Sequence, residues 1–495
     1  MAYLIVDFGT SSCRAVFVDE EGVCRQEQRT PVKVRRNGAC AEIDPDEAWT
    51  AVQTVLRGLT EVVSASEVEA VGISTLLAYL YLDAEDRAIG SAAIWMDFRA
   101  EREARELSLD FSPELIHQRT GRRVSPELLA PRLRWLRKNE PDKFRQVHRV
   151  IGLKDELVRR LTGVIATDYS HMNYSMLYDH VSRKPLEDFV EWSGLKSPPL
   201  PDPVPAQQII GRVSRRAAEL TGLREGVPVI CGTTDGTAAM YGGGMLVPGT
   251  AVLVSGTTDV LMSLTKRPVS ESGRVLSINT GMVPETCAVG GAMGMAGGSL
   301  QHIADLFKLS VPELIREAET IPAGAEGLYM LPGFSGERSP YWKSYMTGGL
   351  LGLTMNHRPG HIARALLEST AFRIRKLLQV MHDSGVSMDT LNVVGGGSTV
   401  EIWNRIRGDV CGIPLTVPRE IEATVLGTAL FCRLGSDPAA DPVEISRRWV
   451  VPERVYHPDM QEAARYAERF SLFEKYIVGT DKVYRELSQK MEQET

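Results

Sequence analysis

The feature that most constrains the fold is a pattern that occurs twice, half a chain length apart. The segments VDFGTSSCRAVFV (6–18) and VLVSGTTDVLMSL (252–264) each join two apolar runs through a Gly-Thr-Ser/Thr turn. Apolar runs joined by a short turn predict a buried β-hairpin. In a chain of 495 residues, the repeat predicts two related domains, at residues 1–245 and 246–495, each presenting one Gly-Thr turn.

Composition and charge narrow the class of protein. The chain is 43% hydrophobic and 24% charged, which is typical of a globular protein. Because 63 acidic residues exceed 56 basic ones, we expect neither a nucleic-acid partner nor a membrane surface. No apolar run approaches the roughly 18 residues that span a bilayer, and MAYLIVDFG lacks the basic start of a secretory signal. Seven scattered cysteines without a C-x-x-C motif are typical of reduced thiols, so we expect a cytoplasmic protein.

Local signals predict a mixed α/β chain. Asp44, followed by a proline, can cap a helix whose apolar residues keep a 3–4 spacing. A second helix is expected from about His361 to Ser384, where a glycine ends it. The five prolines of segment 197–205 exclude a helix or a central strand. The charged tail, from about 456 to 495, predicts a pair of helices on the outside.

The two Gly-Thr turns are candidate phosphate sites. Their backbone N–H groups and hydroxyls form a concavity that suits an anion, and glycine leaves it open. Asp7 precedes the first turn, and an acid beside a phosphate is reasonable where Mg²⁺ lies between them. Either turn alone could be an ordinary hairpin turn, because glycine is common in such turns. The occurrence of two turns favours the phosphate-binding reading.

Asp235 is the candidate general base. It follows the apolar run VPVI and lies within CGTTDGTAAMYGGG (231–244), directly before a glycine. A carboxylate at a strand end beside glycine can reach a substrate hydroxyl and accept its proton. The same residue could also cap the following helix, and the two roles are compatible.

A third glycine motif, VVGGGS (393–398), follows an apolar run and precedes a helix expected near residues 399–410. Glycines at such a junction let a phosphate or a flat ligand approach the backbone. The chain has no G-x-x-x-x-G-K-S/T motif, which excludes a P-loop. Strand-linked G-x-G-x-x-G, G-x-S-x-G and H-E-x-x-H motifs are also absent.

Three further polar features are ambiguous or structural: some have both a functional and a structural interpretation, and one has a structural interpretation alone. Asp97 and Arg99, within WMDFR, could bind a polyol or form a surface ion pair. The turn SGERSP (335–340) could equally be a salt bridge at a domain junction. The nine histidines show no metal-ligand spacing, and we expect ordinary packing for His302.

These motifs, in this order and along nearly the whole chain, resemble those of the FGGY family of carbohydrate kinases. VDFGTSSCR resembles the family's first phosphate motif, GTTDGTAA its catalytic-aspartate segment, VLVSGTTDVL its second phosphate motif, and GGGSTVEIWNRI its adenosine region. GGLLGLTMNHRPGHIARALLE (348–368) fits the C-terminal signature at every constrained position. RVSPELLAPRLRWLRKNEP (123–141) resembles the N-terminal signature, with Arg132 where the family usually has lysine.

The resemblance implies an α/β fold of two RNase H-like domains of the actin/hexokinase superfamily, with an ATP/sugar cleft between them. Residues 1–245 would carry the sugar site, the first phosphate motif and the catalytic aspartate. Residues 246–495 would carry the second phosphate motif, the adenosine site and the C-terminal helices. The cofactors implied are ATP and Mg²⁺, the partner is a small sugar or polyol, and a homodimer is allowed.

Residue by residue, the resemblance implies three sets of contacts. Asp235 would be the catalytic base and touch the sugar, and Asp7 would be catalytic and organise Mg²⁺, directly or through water. The ATP and phosphate contacts would be Gly9, Thr10, Ser11, Arg14, Gly256, Thr257, Thr258, Gly396, Gly397 and Asn404. The further sugar contacts would be Leu77, Ala78, Trp95 and Asp97.

The sugar itself is less defined by the resemblance. IWMDFRA, LPGFSGERSP and GLLGLTMNH are closest to the xylulokinase and gluconokinase branches. Xylulokinases usually have Gln-Met-His where this chain has STLLAY (74–79), which removes the Met-His pair. Asp-Gly at 235–236 in place of Asp-Asn resembles gluconokinase or ribulokinase relatives. Asp259 replaces a usual glycine, and His302 replaces a common tryptophan, which suggests an altered sugar pocket.

We therefore predict an ATP-dependent kinase that phosphorylates a terminal primary hydroxyl of a small sugar, with a ketopentose such as xylulose as the first candidate. Gluconokinase, ribulokinase and erythritol-type polyol kinase activities are the alternatives. A non-catalytic nucleotide or sugar sensor on the same fold is an alternative of another class, and Asp7 and Asp235 argue against it. A chaperone-type ATPase is a third option, for which the chain lacks an obvious peptide-binding domain.

Overall fold

The computed structural model describes residues 2–266 and 275–494, in which strands and helices alternate along the chain. The strands are β1 (Ala2–Phe8), β2 (Ser12–Asp19), β3 (Cys24–Pro31), β4 (Arg35–Asn37), β5 (Cys40–Ile43), β6 (Val68–Thr75), β7 (Ala78–Leu82), β8 (Ala92–Ile94), β9 (Arg149–Gly152), β10 (Thr167–Asp168), β11 (Pro203–Val204), β12 (Ile209–Arg212), β13 (Pro228–Ile230), β14 (Thr233–Thr234), β15 (Thr250–Ser255), β16 (Thr258–Thr265), β17 (Ser277–Thr280), β18 (Cys287–Met295), β19 (Tyr329–Leu331), β20 (Gly349–Leu351), β21 (Thr390–Val394), β22 (Leu415–Pro418) and β23 (Pro452–Tyr456).

The α-helices are α1 (Pro45–Thr60), α2 (Glu101–Asp110), α3 (Pro113–Thr120), α4 (Leu129–Asn139), α5 (Pro141–Gln146), α6 (Leu153–Thr162), α7 (Tyr169–Ser175), α8 (Glu187–Trp192), α9 (Arg215–Thr221), α10 (Asp235–Gly242), α11 (Gly297–Phe307), α12 (Val311–Glu319), α13 (Pro359–Asp383), α14 (Glu401–Cys411), α15 (Ala423–Ser436), α16 (Pro442–Trp449) and α17 (Met460–Glu494). Among the described residues, short 3₁₀ turns lie at Ala65–Glu67, Ala325–Gly327 and Gly396–Thr399.

The chain forms two compact units whose segments alternate along the sequence. Unit 1 comprises Met1–Leu246, Ser277–Ala288 and Glu422–Val450, and unit 2 comprises Val247–Leu276, Val289–Ile421 and Val451–Thr495. The sequence predicts two contiguous domains that meet between residues 245 and 246. The first segment of unit 1 ends next to that position, but two later segments return to unit 1.

The main sheet of unit 1 is built around the first predicted hairpin. Its strand order is β12-β13-β6-β1-β2-β3. β1 pairs antiparallel with β2 and parallel with β6, so the central strand is hydrogen-bonded on both edges. β1 is almost wholly buried, as its near-continuous apolar sequence requires. β14 extends the pairing of β6 and brings the chain to the start of α10.

Helix α1 confirms the predicted cap at Asp44. The Asp44 side chain accepts hydrogen bonds from the backbone N–H groups of Asp46 and Glu47, and a proline occupies the first turn. The apolar residues of α1 are buried, and the helix packs against β2 and β3. The hairpin is therefore covered on one face by a helix that the sequence specifies locally.

Helix α15, from the third segment of unit 1, packs against α10, β1 and β6. The two helices α10 and α15 approach at backbone distance, through Gly242 and Gly427. A Cβ at Gly242 would lie 2.0 Å from the Ala423 carbonyl oxygen, and one at Gly427 would lie 1.9 Å from that of Ala238. A larger residue at either position would force the helices apart. Packing of α15 on the core of unit 1 is why this late segment belongs to it.

The main sheet of unit 2 repeats the arrangement of unit 1. Its order includes β18-β16-β15-β21-β22-β23, in which β15 pairs antiparallel with β16 and parallel with β21. In both units a hairpin is flanked by a third strand on one side and by parallel strands on the other. The duplication that the two Gly-Thr turns predict is therefore present in the strand order, and the two-domain α/β fold is confirmed.

The two long C-terminal predictions have different outcomes. Helix α13 spans Pro359–Asp383, and Gly385 follows it with a φ of 91°, close to the predicted helix. The predicted tail begins where β23 ends, and it forms one 35-residue helix, α17, rather than a pair of helices. No proline interrupts α17, and its single glycine, Gly479, does not end it. Among the described helices, none is long and apolar enough to cross a membrane.

Candidate active site

The first part of the site is the pair Asp7 and Arg14 at the base of the β1–β2 hairpin. The two residues lie opposite each other in the strand register. The Arg14 Nε and Nη2 atoms donate to Asp7 Oδ2 at 3.0 and 2.9 Å, and the Ser74 hydroxyl lies 3.5 Å from Asp7 Oδ1. Arg14 also pairs with Glu422, at the start of the third segment of unit 1. Arg14 is thus held from two sides and fixes the carboxylate of Asp7.

The turn above this pair exposes backbone and hydroxyl groups. The Gly9 N–H donates to the Ser12 carbonyl at 2.9 Å, which closes the turn. Thr10 is half-buried and Ser11 is exposed. A Cβ at Gly9 would have one neighbour within 4 Å, the Ser12 carbonyl oxygen at 3.5 Å, so the surface above the glycine is open. This geometry suits phosphate, and binding of phosphate by Gly9, Thr10, Ser11 and Arg14 remains a prediction.

Asp235 occupies the first turn of α10, within unit 1 like Asp7. Thr234 precedes it as the N-cap, so Asp235 is not the capping residue that the sequence allows. Its Oδ1 accepts a hydrogen bond from the Gly236 N–H at 2.6 Å. Burial, aided by the negative charge of Asp7 and opposed by the bond from Gly236, raises the pKa of Asp235 to about 7. Burial also raises the pKa of Asp7, against the lowering effect of Arg14.

A buried ionic cluster behind Asp235 was not anticipated from the sequence. Lys154, Asp155, Asp168 and His171 are all fully buried. The Asp155, Asp168 and His171 ligand atoms are close enough together to hold a metal ion. The Lys154 ammonium, however, contacts Asp155 and lies 3.6 Å from Asp168, so a cation from the chain already occupies this position.

The predicted sugar contacts of unit 1 divide into two groups. Trp95 is partly exposed, and Leu77 is buried in an apolar cluster that Trp95 adjoins. Ala78 is completely buried on β7, so its side chain cannot touch a ligand. Asp97 does pair with Arg99, but the pair is buried and not the surface ion pair that the sequence suggests: the carboxylate is completely buried and accepts bonds from Arg99 Nε at 2.8 Å and from the Ala41 N–H at 2.8 Å.

Arg132, which stands where the family usually has lysine, also stabilises this region. It is buried and donates to the carbonyl oxygens of Ala93, at 2.7 Å, of Ile94, and of Asp97, at 3.3 Å. The guanidinium thereby fixes the backbone on both sides of Trp95. Asp97 and Arg132 shape the segment that carries Trp95 rather than offering polar groups to a sugar.

Unit 2 contains a groove of about 920 Å³. Glycines from three segments form part of it, and apolar side chains complete it. The lining residues are Gly256, Thr257, Met295, Gly297, Gly298, Leu300, Gln301, His302, Asp305, Val311, Phe334, Ser335, Gly396, Gly397, Val400 and Trp403. A groove with glycine backbone on one side and apolar side chains on another suits a phosphate chain attached to a flat base.

The predicted nucleotide contacts of unit 2 fall partly on this groove. Gly256, Thr257, Gly396 and Gly397 line it, as the resemblance implies. Thr258 does not line it and begins β16. Asn404 is completely buried, and its Nδ2 donates to the Ser398 carbonyl at 2.7 Å. Asn404 therefore holds the Gly396–Thr399 turn in place and does not itself line the groove.

Two features of the groove were not expected. His302 was predicted to be an ordinary packed residue, but it is exposed, lines the groove, and meets the Phe334 ring edge-on at 5.2 Å. Arg407 is completely buried behind the groove and donates to Ser255 Oγ at 2.6 Å and to the Gly397 carbonyl at 3.3 Å. Its charge partner is the buried Asp259, at 3.7 Å.

Both halves of the chain match models of one protein family. The N-terminal domain model of the FGGY family of carbohydrate kinases matches residues 2–242, and the C-terminal domain model matches residues 251–434. The chain belongs to the FGGY family of carbohydrate kinases. This kinase is therefore an enzyme of sugar phosphorylation, and membership of the family implies the use of ATP.

The relatives of this FGGY kinase are named for different substrates, xylulose and glycerol. The chain is 28% identical to the xylulose kinase of Escherichia coli (strain K12) over 478 residues, with 96% of this chain and 98% of the relative covered. It is 29% identical to a glycerol kinase of Chloroflexus aggregans, with 93% and 95% covered. The crystal structure of xylulose kinase from Rhodospirillum rubrum has a TM-score of 0.90 at 26% identity, covering 98% of this chain and 100% of the other.

Proposed function

We propose that this kinase transfers the γ-phosphate of ATP to a terminal primary hydroxyl of a small sugar, with a ketopentose such as xylulose as the first candidate. The observation that carries the proposal is the placement of Asp235 at the start of α10, with Asp7 as its charged neighbour. The glycine-lined groove of unit 2 supplies the binding surface for ATP in this proposal.

In the proposed reaction Asp235 accepts the proton of the attacking hydroxyl. A general base works best when its pKa lies near the operating pH, and the pKa of Asp235, raised to about 7, meets that condition. Its Oδ2 accepts no hydrogen bond from the residues that the structure describes and can face a hydroxyl. The oxygen of the sugar then attacks the γ-phosphorus, and ADP departs as the bond to the β-phosphate oxygen breaks.

The residues around Asp7 fit Mg²⁺. Two carboxylates, Asp7 and Asp235, repel each other strongly enough for Asp7 to raise the pKa of Asp235, and a cation near Asp7 would relieve that repulsion. Asp7 Oδ2 is engaged by Arg14, so Oδ1 is the oxygen available to hold the metal, directly or through water. When bound, Mg²⁺ neutralises charge on the phosphates. Arg14 orients Asp7 for that contact.

The predicted sugar contacts leave four acceptors to compare. Leu77 and Ala78 are buried and Asp97 is committed to Arg99, so none of the three selects one sugar by a polar contact. Xylulose, ribulose, gluconate and erythritol-type polyols therefore remain the acceptors to test. A non-catalytic nucleotide or sugar sensor is the alternative of another class, and it would show no sugar-dependent release of ADP.

The test is a coupled ADP-release assay over D- and L-ketopentoses, gluconate, ribitol and erythritol, with the wild type, Asp235→Asn and Asp441→Asn. Asp441→Asn is the matched control, because asparagine still caps α16. We expect Asp235→Asn to lower kcat about a thousandfold, since the base is lost, with ATP affinity retained. In the wild type, kcat should rise through about pH 7 as Asp235 loses its proton. Near-normal turnover of Asp235→Asn would contradict the assignment.

A further inference from the structure

The cluster behind Asp235 is a set of ionisable side chains buried without access to water. Lys154, Asp155, Asp168 and His171 have no exposed surface. His171 Nδ1 lies 2.7 Å from Asp168 Oδ1, and Lys154 pairs with both aspartates. Taking several charges out of water costs free energy that their mutual attraction often fails to recover. Well-packed apolar residues would stabilise the unit at least equally, so stability alone does not explain the cluster.

The cluster is tied to the chain directly before Asp235. The Lys154 ammonium donates to the Cys231 carbonyl at 2.9 Å. The Thr233 hydroxyl donates to Asp168 Oδ2 at 2.7 Å. Two of the four residues that precede Asp235 are therefore fixed by groups from α6 and from the segment around Asp168.

A second connection reaches the chain directly after Asp235. The Ser170 N–H donates to Asp168 Oδ2 at 3.0 Å, and the Ser170 hydroxyl lies 2.7 Å from the Thr237 hydroxyl. The Thr234 hydroxyl donates to the same Thr237 oxygen at 2.9 Å. Asp168 is the common acceptor of both connections, so residues on each side of Asp235 are linked by hydrogen bonds to one buried carboxylate.

We propose that Asp168 is a positioning residue for Asp235, acting through the hydroxyls of Thr233 and of Ser170 and Thr237. The inference rests on the proposed role of Asp235 as the base. Asp168 does not touch the reacting atoms, because it is completely buried. Its function is to hold the strand end and first helical turn that aim the Asp235 carboxylate at the hydroxyl.

The physical reason is the distance sensitivity of proton transfer and phosphoryl transfer. A displacement of about 1 Å in a reacting group costs on the order of a hundredfold in rate. An ionised acceptor forms stronger hydrogen bonds than a neutral one, which restricts the movement of its donors. The ion pair with Lys154 and the bond from His171 stabilise the ionised form of Asp168, and they hold its pKa below its usual range against the effect of burial.

The decisive variant is Thr233→Val, which removes the hydroxyl between Asp168 and the strand before Asp235 and keeps the side-chain shape. Thr233→Ser restores the hydroxyl. Thr221→Val is the matched control, since Thr221 is also completely buried in unit 1 and donates one hydrogen bond, to the Ala217 carbonyl at 2.7 Å.

We expect Thr233→Val to lower kcat about tenfold, within the range that misplacement of a reacting group produces, while KM for ATP stays unchanged. The acid limb of the kcat profile should move below about pH 7, because a less firmly held Asp235 is better hydrated and its pKa falls towards the ordinary value. Thr233→Ser should restore both quantities. Thr221→Val should lower the melting temperature similarly and leave kcat and the acid limb unchanged.

Asp168→Asn is the second variant, with a larger expected loss of kcat. Should it fail to fold, as judged by circular dichroism, the comparison of Thr233→Val with Thr233→Ser still decides the question. Equal kcat and equal pH profiles for Thr233→Val and Thr221→Val, in an active wild type, would overturn the positioning role alone. Absence of acceptor-dependent ADP release from the wild type would overturn the proposed function, and the inference with it.

Discussion

The two Gly-Thr hairpins of this kinase look alike in sequence, but each has a different acid–base pair beneath the turn. In unit 1, Asp7 and Arg14 face each other across the strands, and about a seventh of the Asp7 side chain, 14%, is exposed. In unit 2, Asp259 is 1% exposed, accepts no hydrogen bond within the described residues, and lies 3.7 Å from Arg407. The repeated motif therefore carries one accessible carboxylate and one inaccessible one.

This difference separates the tasks of the two hairpins. Arg14 holds Asp7 Oδ2 with two donors, while Oδ1 has the Ser74 hydroxyl at 3.5 Å, a weaker contact that suits a group interacting with a metal or a phosphate. Within the part of the chain that the structure describes, Asp259 has Arg407 as its charge partner, and Arg407 in turn holds Ser255 and the Gly397 carbonyl. In the proposed reaction the first pair serves the chemistry, while the second holds together the Ser255 and Gly397 sides of the groove in unit 2.

The largest effect should follow from Asp7→Asn. We expect kcat to fall about a thousandfold, the size of effect seen when a charge-stabilising group is removed from an active site. The acid limb of the pH profile should also move to lower pH, because loss of the Asp7 charge lowers the pKa of Asp235. Asp19→Asn, at the far end of β2, is the control and should behave as wild type. A fall below tenfold for Asp7→Asn would remove the distinction between the hairpins.

The next effect concerns stability rather than rate. Arg407→Leu leaves Asp259 buried without a counter-charge, and we expect the free energy of unfolding in urea to fall by about 3 kcal/mol. The double variant Arg407→Leu with Asp259→Ala should recover much of that loss, because neither charge remains buried. If the double variant instead matched Arg407→Leu in stability and lost kcat like Asp7→Asn, Asp259 would have a catalytic role after all.

The smallest effect should come from a single methyl group in the groove. A Cβ at Gly396 meets no atom within 4 Å, so Gly396→Ala should raise KM for ATP about tenfold and leave the melting temperature unchanged. A Cβ at Gly397 would lie 2.2 Å from Ser255 Oγ, so Gly397→Ala should lower the melting temperature as well. An unchanged KM for ATP in Gly396→Ala would indicate that the nucleotide does not contact this side of the groove.

Features that depend on neighbouring residues could be predicted from the sequence. The β1–β2 hairpin, the Asp44 cap and the strand end before Asp235 each have a local pattern of turn, capping or apolar residues. The buried charges could not be predicted this way. The sequence does not show that Asp97 accepts a hydrogen bond from the N–H of Ala41, which is far away in the chain. Nor does it show that Lys154, on a helix, lies beside the carboxylate of Asp168. Such pairs are made by tertiary folding and have no periodic signature.

The order in which unit 1 is assembled along the chain has a consequence for biosynthesis. Helix α15 supports α10, the helix that begins with Asp235, through the contact of Gly242 with the Ala423 carbonyl. A ribosome must therefore translate past residue 436 before α10 can acquire its final packing. An N-terminal fragment that stops at mid-chain contains Asp235, the proposed base, but not helix α15, which supports α10. Expression of the isolated first half should consequently yield a chaperone-dependent or protease-sensitive polypeptide, with activity withheld until synthesis is nearly complete.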